Sequence, residues 1–178
     1  MNNAEYEKAL PIAKRLLEKG REEKKLSKRE EAEYLRHQGF ILVKTGKPKT
    51  GSKLLQNAIE ADPTYMKPYL DLGVLEGSAG NHEDALKWFH RAIEKDKTNN
   101  EAYYNMGVAL RELGRKEEAE EAFKNGITYG NQSIEVYKAL ASILWSQGKT
   151  EEAISIYREA IQIHPDNSEI RNFLNKVK

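Results

Sequence analysis

The chain has 178 residues, 32% charged and 39% apolar, with 29 Lys/Arg, 28 Asp/Glu and no cysteine. That length allows one ordinary domain or a short repeat array, and the absence of thiols excludes disulfides, thiolate metal sites and thiol redox chemistry. No apolar run approaches the roughly 18–20 residues of a membrane-spanning helix, so the composition reads as a helical protein with narrow apolar stripes and wide solvated faces.

The first segment, MNNAEYEKALPIAKRLLEKG, shows no secretory leader, because charges interrupt each short apolar stretch. Tyr6, Leu10, Ala13, Leu16 and Leu17 predict an amphipathic helix that Pro11 starts or kinks. Residues 1–31 are therefore expected to form an N-terminal helical arm, a degenerate half-repeat with Ala9 and Ala13 at its small positions. Such an arm either caps the apolar end of the next helix pair or docks onto another subunit through Tyr6 and Leu10. The same region is basic: residues 1–58 hold 14 Lys/Arg and 8 Asp/Glu, against 15 and 20 in residues 59–178. The interspersed glutamates and a pI of 7.8 argue against a dedicated nucleic-acid duplex binder. A solvated charged face is the plain alternative. The functional one is self-association or contact with an anionic surface through Arg21, Lys24, Lys25, Lys47 and Lys49.

Ser27 followed by Glu30 is a capping-box pattern and predicts a helix from near residue 28 to about Thr45. From residue 32 the chain aligns on itself with a 34-residue period, without gaps. Gly39, Gly73, Gly107 and Ala141 share one column, and Gly46, Gly80, Gly114 and Gly148 another. Gly51, Ala85, Ala119 and Ala153 form a third, and Leu55, Phe89, Phe123 and Tyr157 a fourth. The unbroken glycine column falls between two helical patterns, where a left-handed residue closes a helix. The small columns let two helices approach, with the large apolar column packed beside them. Each unit is thus a helix, a tight turn and a second, antiparallel helix. Pro63 and Pro165 predict sharp ends for the second helices of the first and last units, whereas Lys97 and Asn131 at the same position predict smoother ones. Beyond the last unit, Ile170, Phe173, Leu174 and Val177 form a helical stripe in residues 168–178, expected to be a capping helix.

These columns resemble the tetratricopeptide (TPR) family over residues 32–167, with units at 32–65, 66–99, 100–133 and 134–167. The resemblance implies an all-α, right-handed superhelical TPR solenoid of antiparallel helix pairs with terminal capping helices, and a peptide groove lined by the first helix of each unit. The groove residues it implies are Arg36, His37 and Phe40; Leu70, Asp71 and Val74; Tyr104, Asn105 and Val108; and Lys138, Ala139 and Ser142, with Trp145 one turn further. Some TPR proteins grip the terminal carboxylate of chaperone tails with a Lys/Asn, Asn, Lys/Arg clamp. Here acidic and apolar residues such as Asp71, Glu101 and Glu135 stand at those places, so no chaperone-tail binding is expected. Tyr34, Arg36, Gly39, the run Val43-Lys44-Thr45-Gly46, then Gly51, Leu54, Leu55 and Pro63 are similar to a repeat of the magnetosome-associated TPR proteins of magnetotactic bacteria. That similarity implies a cytoplasmic scaffold that self-associates and lies peripherally on an organelle membrane.

The four histidines, His37, His82, His90 and His164, form no HExxH or other metal spacing, and solvated side chains are the simpler reading. The glycines follow the repeat rather than a phosphate loop, and no nucleophile elbow occurs. The expectation is a non-enzymatic protein–protein scaffold without cofactor or metal, binding proteins or peptides and forming homo-oligomers. A monomeric peptide-binding adaptor or a regulatory subunit of a larger complex is the alternative.

Overall fold

The computed structural model describes residues 26–177, together with Pro11, Arg15, Glu18, Lys19 and Gly20. The regular elements from residue 26 onward are all α-helices. Helix α1 spans Lys28–Lys44, α2 Pro48–Ala61, α3 Met66–Ser78 and α4 His82–Lys95; α5 spans Asn100–Glu112, α6 Lys116–Thr128, α7 Ile134–Ser146, α8 Thr150–Ile163 and α9 Ser168–Lys176. Two compact units result, residues 1–97 and 98–178.

Local chemistry accounts for the helix limits. Ser27 accepts the Glu30 amide at 3.2 Å while Glu30 accepts the Ser27 amide at 2.7 Å, closing the expected capping box at the start of α1. The Ser27 amide also holds the Glu30 carboxyl below its ordinary value. Each first helix ends on its column glycine at positive φ, from Gly46 (81°) to Gly80 (84°), Gly114 (76°) and Gly148 (78°). The amide of the residue after each glycine bonds back into the last turn, as Lys47 does to the Leu42 carbonyl at 2.8 Å and Lys149 to Leu144 at 2.9 Å, which satisfies a carbonyl the helix leaves open.

The second helices correct one expectation. The ends near Lys97 and Asn131 are as sharp as those near Pro63 and Pro165. Helix α4 stops at Asp96, extended at φ −145° and ψ 97°, almost the geometry of Asp62 after α2 (−141°, 94°). Helix α6 stops through Gly130 (φ 95°), with Asn131 donating to the Gly126 carbonyl at 2.9 Å. A left-handed glycine closes a helix without help from a proline.

In the first unit, α1 pairs with α2 and α3 with α4, and α2 packs against α3. The α1–α2 crossing is backbone against backbone: a Cβ on Gly51 would stand 2.6 Å from the Gly39 carbonyl oxygen. The α3–α4 crossing instead seats the buried Phe89 ring directly on Gly73. In the second unit α5 pairs with α6 and α7 with α8, α6 packs on α7, and α9 packs on α8. Phe123 sits on Gly107, where a Cβ would lie 2.7 Å from the ring. At the last pair Ala141 is fully buried and Tyr157 is only half-buried, its ring meeting Phe173 of α9 edge-on at 5.1 Å. Ile170 of α9 is buried, so the C-terminal helix covers apolar surface of the second unit.

Candidate protein-interaction faces

Each unit presents the outward side of its first helices differently. In the first unit Arg36 of α1 and Asp71 of α3 form a two-pronged ion pair, Nε to Oδ2 at 2.5 Å and Nη2 to Oδ1 at 3.1 Å. Their side chains are only 19% and 16% exposed. Burial pulls the Arg36 pKa down, and the bond and charge of Asp71 more than restore it, so the net shift is upward. A second pair, Arg29 to Asp62 at 2.7 Å, ties the start of α1 to the end of α2, and the Arg29 guanidinium lies 4.5 Å from the centre of the buried Tyr65 ring. Leu70 does not face a groove: it is 5% exposed and belongs to the core. The α3 stripe turns Leu70 inward because Tyr69, Leu70, Leu72 and Gly73 together face the neighbouring helices. The side chains that stay accessible are Phe40, with the Lys44 ammonium 5.4 Å from its ring centre, together with His37 and Val74.

In the second unit Tyr104 and Val108 of α5 are half-buried, and the Tyr104 ring leans on Phe123 with centroids 5.9 Å apart. Asn105 donates to the Glu101 carbonyl of its own helix at 2.9 Å. Lys138 bonds Glu169 of α9 at 2.6 Å, and that glutamate raises the lysine pKa. Ala139 is buried. Trp145 is 46% exposed and meets Phe173 edge-on at 5.6 Å. Trp145, Tyr157 and Phe173 with Ser142 and Ser146 line a cleft of about 400 Å³. A second cleft of about 270 Å³ shares Ser142 and takes in Tyr104, Arg111, Glu135 and Lys138. The first is aromatic with hydroxyls and the second is of mixed charge, and Ser142 borders both.

Tyr157 and Phe173 were not among the sequence-predicted site residues. Tyr157 stood in the core column, and Phe173 lies beyond the last period, where the repeat register gives it no groove position. Of the proposed self-association residues, Lys47 and Lys49 are exposed, whereas Tyr6, Leu10, Arg21, Lys24 and Lys25 lie outside the described residues. Among the described residues no three His, Asp or Glu side chains converge to hold a metal ion, and no helix is long and apolar enough to cross a membrane.

Three tetratricopeptide-repeat family models match residues 38–100, 77–143 and 134–177. No curated protein matches the chain in sequence. Among solved structures, a crystal structure of MamA superposes with a TM-score of 0.77 at 20% identity, covering 93% of this chain and 92% of its own. MamA AMB-1 gives 0.69 at 23% identity with 91% of each chain covered, and MamA MSR-1 gives 0.65 at 24%, covering 93% and 98%. At these identities the likeness is one of fold. The chain is a tetratricopeptide-repeat protein, and its fold resembles that of MamA.

Proposed function

We propose that the protein is a non-enzymatic interaction scaffold that captures a peptide segment of a partner on the first-helix face of its second unit. One observation carries the reading. Trp145, 46% exposed on the first helix α7, opens onto a shaped aromatic cleft. Aromatic anchors in a pocket rimmed by polar groups concentrate binding energy. A peptide with one large apolar side chain fits the Trp145–Tyr157–Phe173 end, with polar or charged residues running toward Arg111, Glu135 and Lys138.

The scaffold also self-associates in this reading. The excess of basic residues in 1–58 and of acidic residues in 59–178 favours head-to-tail encounter, and the basic face suits an acidic protein or a membrane headgroup layer. The fold likeness to MamA and the similarity of residues 34–63 to magnetosome-associated repeats support a cytoplasmic scaffold held peripherally on an organelle membrane. A monomeric adaptor is the competing reading.

The test is selection of peptides from a display library on the wild-type chain, followed by affinity measurement on Trp145→Ala and on Phe40→Ser/Val74→Ser. Loss of binding in Trp145→Ala, with unchanged helicity and with Phe40→Ser/Val74→Ser binding like the wild type, supports the second-unit face. Equal affinity for all three chains removes it.

A further inference from the structure

We infer that the exposed edge of α2 is a docking surface for the acidic edge of α6 in a second copy of the chain. The inference rests on the self-association reading and supplies its contact.

Between α2 and α3 opens a cleft of about 640 Å³, bordered by Lys49, Lys53 and Gln56 on one side and by Leu75 and Ala79 on the other. Lys49 and Lys53 stand four residues apart on α2 and both are exposed, so their side chains leave one face of the helix at points about 6 Å apart along the axis. Lys47 adds a third exposed cation at the start of the helix. One carboxylate borders the cleft, Glu76, and it accepts a bond from Asn81 at 2.8 Å. Helix α2 has no acidic residue in its first turn, whereas α4, α6 and α8 each have two.

The complementary surface lies in the second unit. Glu117 and Glu121 of α6 are exposed and have the same four-residue spacing as Lys49 and Lys53. Two lysines nearby are already engaged: Lys124 and Lys149 bond Glu120 at 2.6 and 2.7 Å. Glu118 pairs with Arg115. With Lys116 at its start and Glu117 within the field of Lys149, this edge of α6 still carries Glu117 and Glu121 at the residue spacing of Lys49 and Lys53 and with the opposite sign. The opposite sign and equal residue spacing of the two exposed edges commit the proposed partner to a second copy.

Charge reversal in complementary pairs tests this. Lys49→Glu/Lys53→Glu and Glu117→Lys/Glu121→Lys are made in the full chain, and circular dichroism checks that both fold. Molar mass is followed by light scattering against concentration, in low salt and in about 0.5 M salt, where screening acts within about 4 Å. The wild type is expected to climb to at least twice the 20.4 kDa chain mass in low salt. Each variant should stay at chain mass, and an equimolar mixture should assemble again, because each altered face then meets its opposite. Variants that assemble like the wild type, or a mixture that stays monomeric, overturn this contact and leave self-association standing. A wild type that is monomeric at every concentration overturns both. Lys49→Gln/Lys53→Gln, which removes charge without reversing it, is expected to weaken assembly less than the reversal does.

Discussion

The two units finish the outward side of their first helices differently. In the first, the positions that face outward on α1 and α3 are spent on structure: Arg36 and Asp71 clasp each other, and Leu70 enters the core. In the second, the corresponding helices end in Trp145, beside a cleft that α9 completes with Phe173. A repeat position fixes where a side chain stands, and its neighbours decide whether it binds or braces. The second unit holds the aromatic cleft beside Trp145, so partner capture should depend on it.

The sharpest way to break the braced unit is at its tightest crossing. Gly51→Val drives a side chain into the Gly39 carbonyl, where backbone cannot yield, and should cost about 3 kcal/mol by chemical denaturation. Gly77→Ala is the contrast, since its Cβ would meet only the Ala85 Cβ at 3.7 Å. It should stabilise by about 0.5–1 kcal/mol through helix propensity. Next in size, Arg36→Ala strands a mostly buried Asp71 carboxylate and should cost about 2 kcal/mol. The double variant Arg36→Leu/Asp71→Leu should recover most of that, because apolar side chains of similar size leave no unpaired charge.

The second unit has its own brace in Glu120. Burial alone raises its pKa from the ordinary 4.5, and the bonds and charges of Lys124 and Lys149 outweigh that, leaving it lowered. A lowered folded-state pKa gives stability that is present above 4.5 and lost as pH falls through the folded value. Melting temperature should therefore drop on acidification below 4.5 in the wild type and do so less in Glu120→Gln. The size is about 1 kcal/mol, because both lysines are substantially exposed and screened. Trp145→Ala should have the smallest effect on stability, a few tenths of a kcal/mol for a half-exposed side chain. Yet it should weaken peptide binding at least tenfold, about 1.4 kcal/mol.

The helices were legible because their signals are local. The Ser27–Glu30 box, the glycines that close first helices and the two small columns at Gly39 and Gly51 all act within a few residues or across one turn. The candidate faces were legible only as positions. Nothing in the spacing distinguishes Val74, which is exposed, from Leu70, four residues before it and buried, because both lie on the same side of the helix pattern. The Arg36–Asp71 clasp joins residues 35 apart, one more than the period, so comparing columns does not bring them together. The aromatic cleft depends on a helix outside the repeat, and the ends of α4 and α6 depend on backbone geometry at Asp96 and Gly130 rather than on the missing prolines.

The chain contains two tryptophans, Trp88 on α4 of the first unit and Trp145 on α7 of the second. Their two indole N–H signals in an ¹H–¹⁵N spectrum, followed while a selected peptide is titrated, report on the two units separately. With capture seated on the second unit, the Trp145 signal is expected to move to saturation while the Trp88 signal stays in place. Movement of Trp88 alone, or saturation with neither signal displaced, would contradict that assignment.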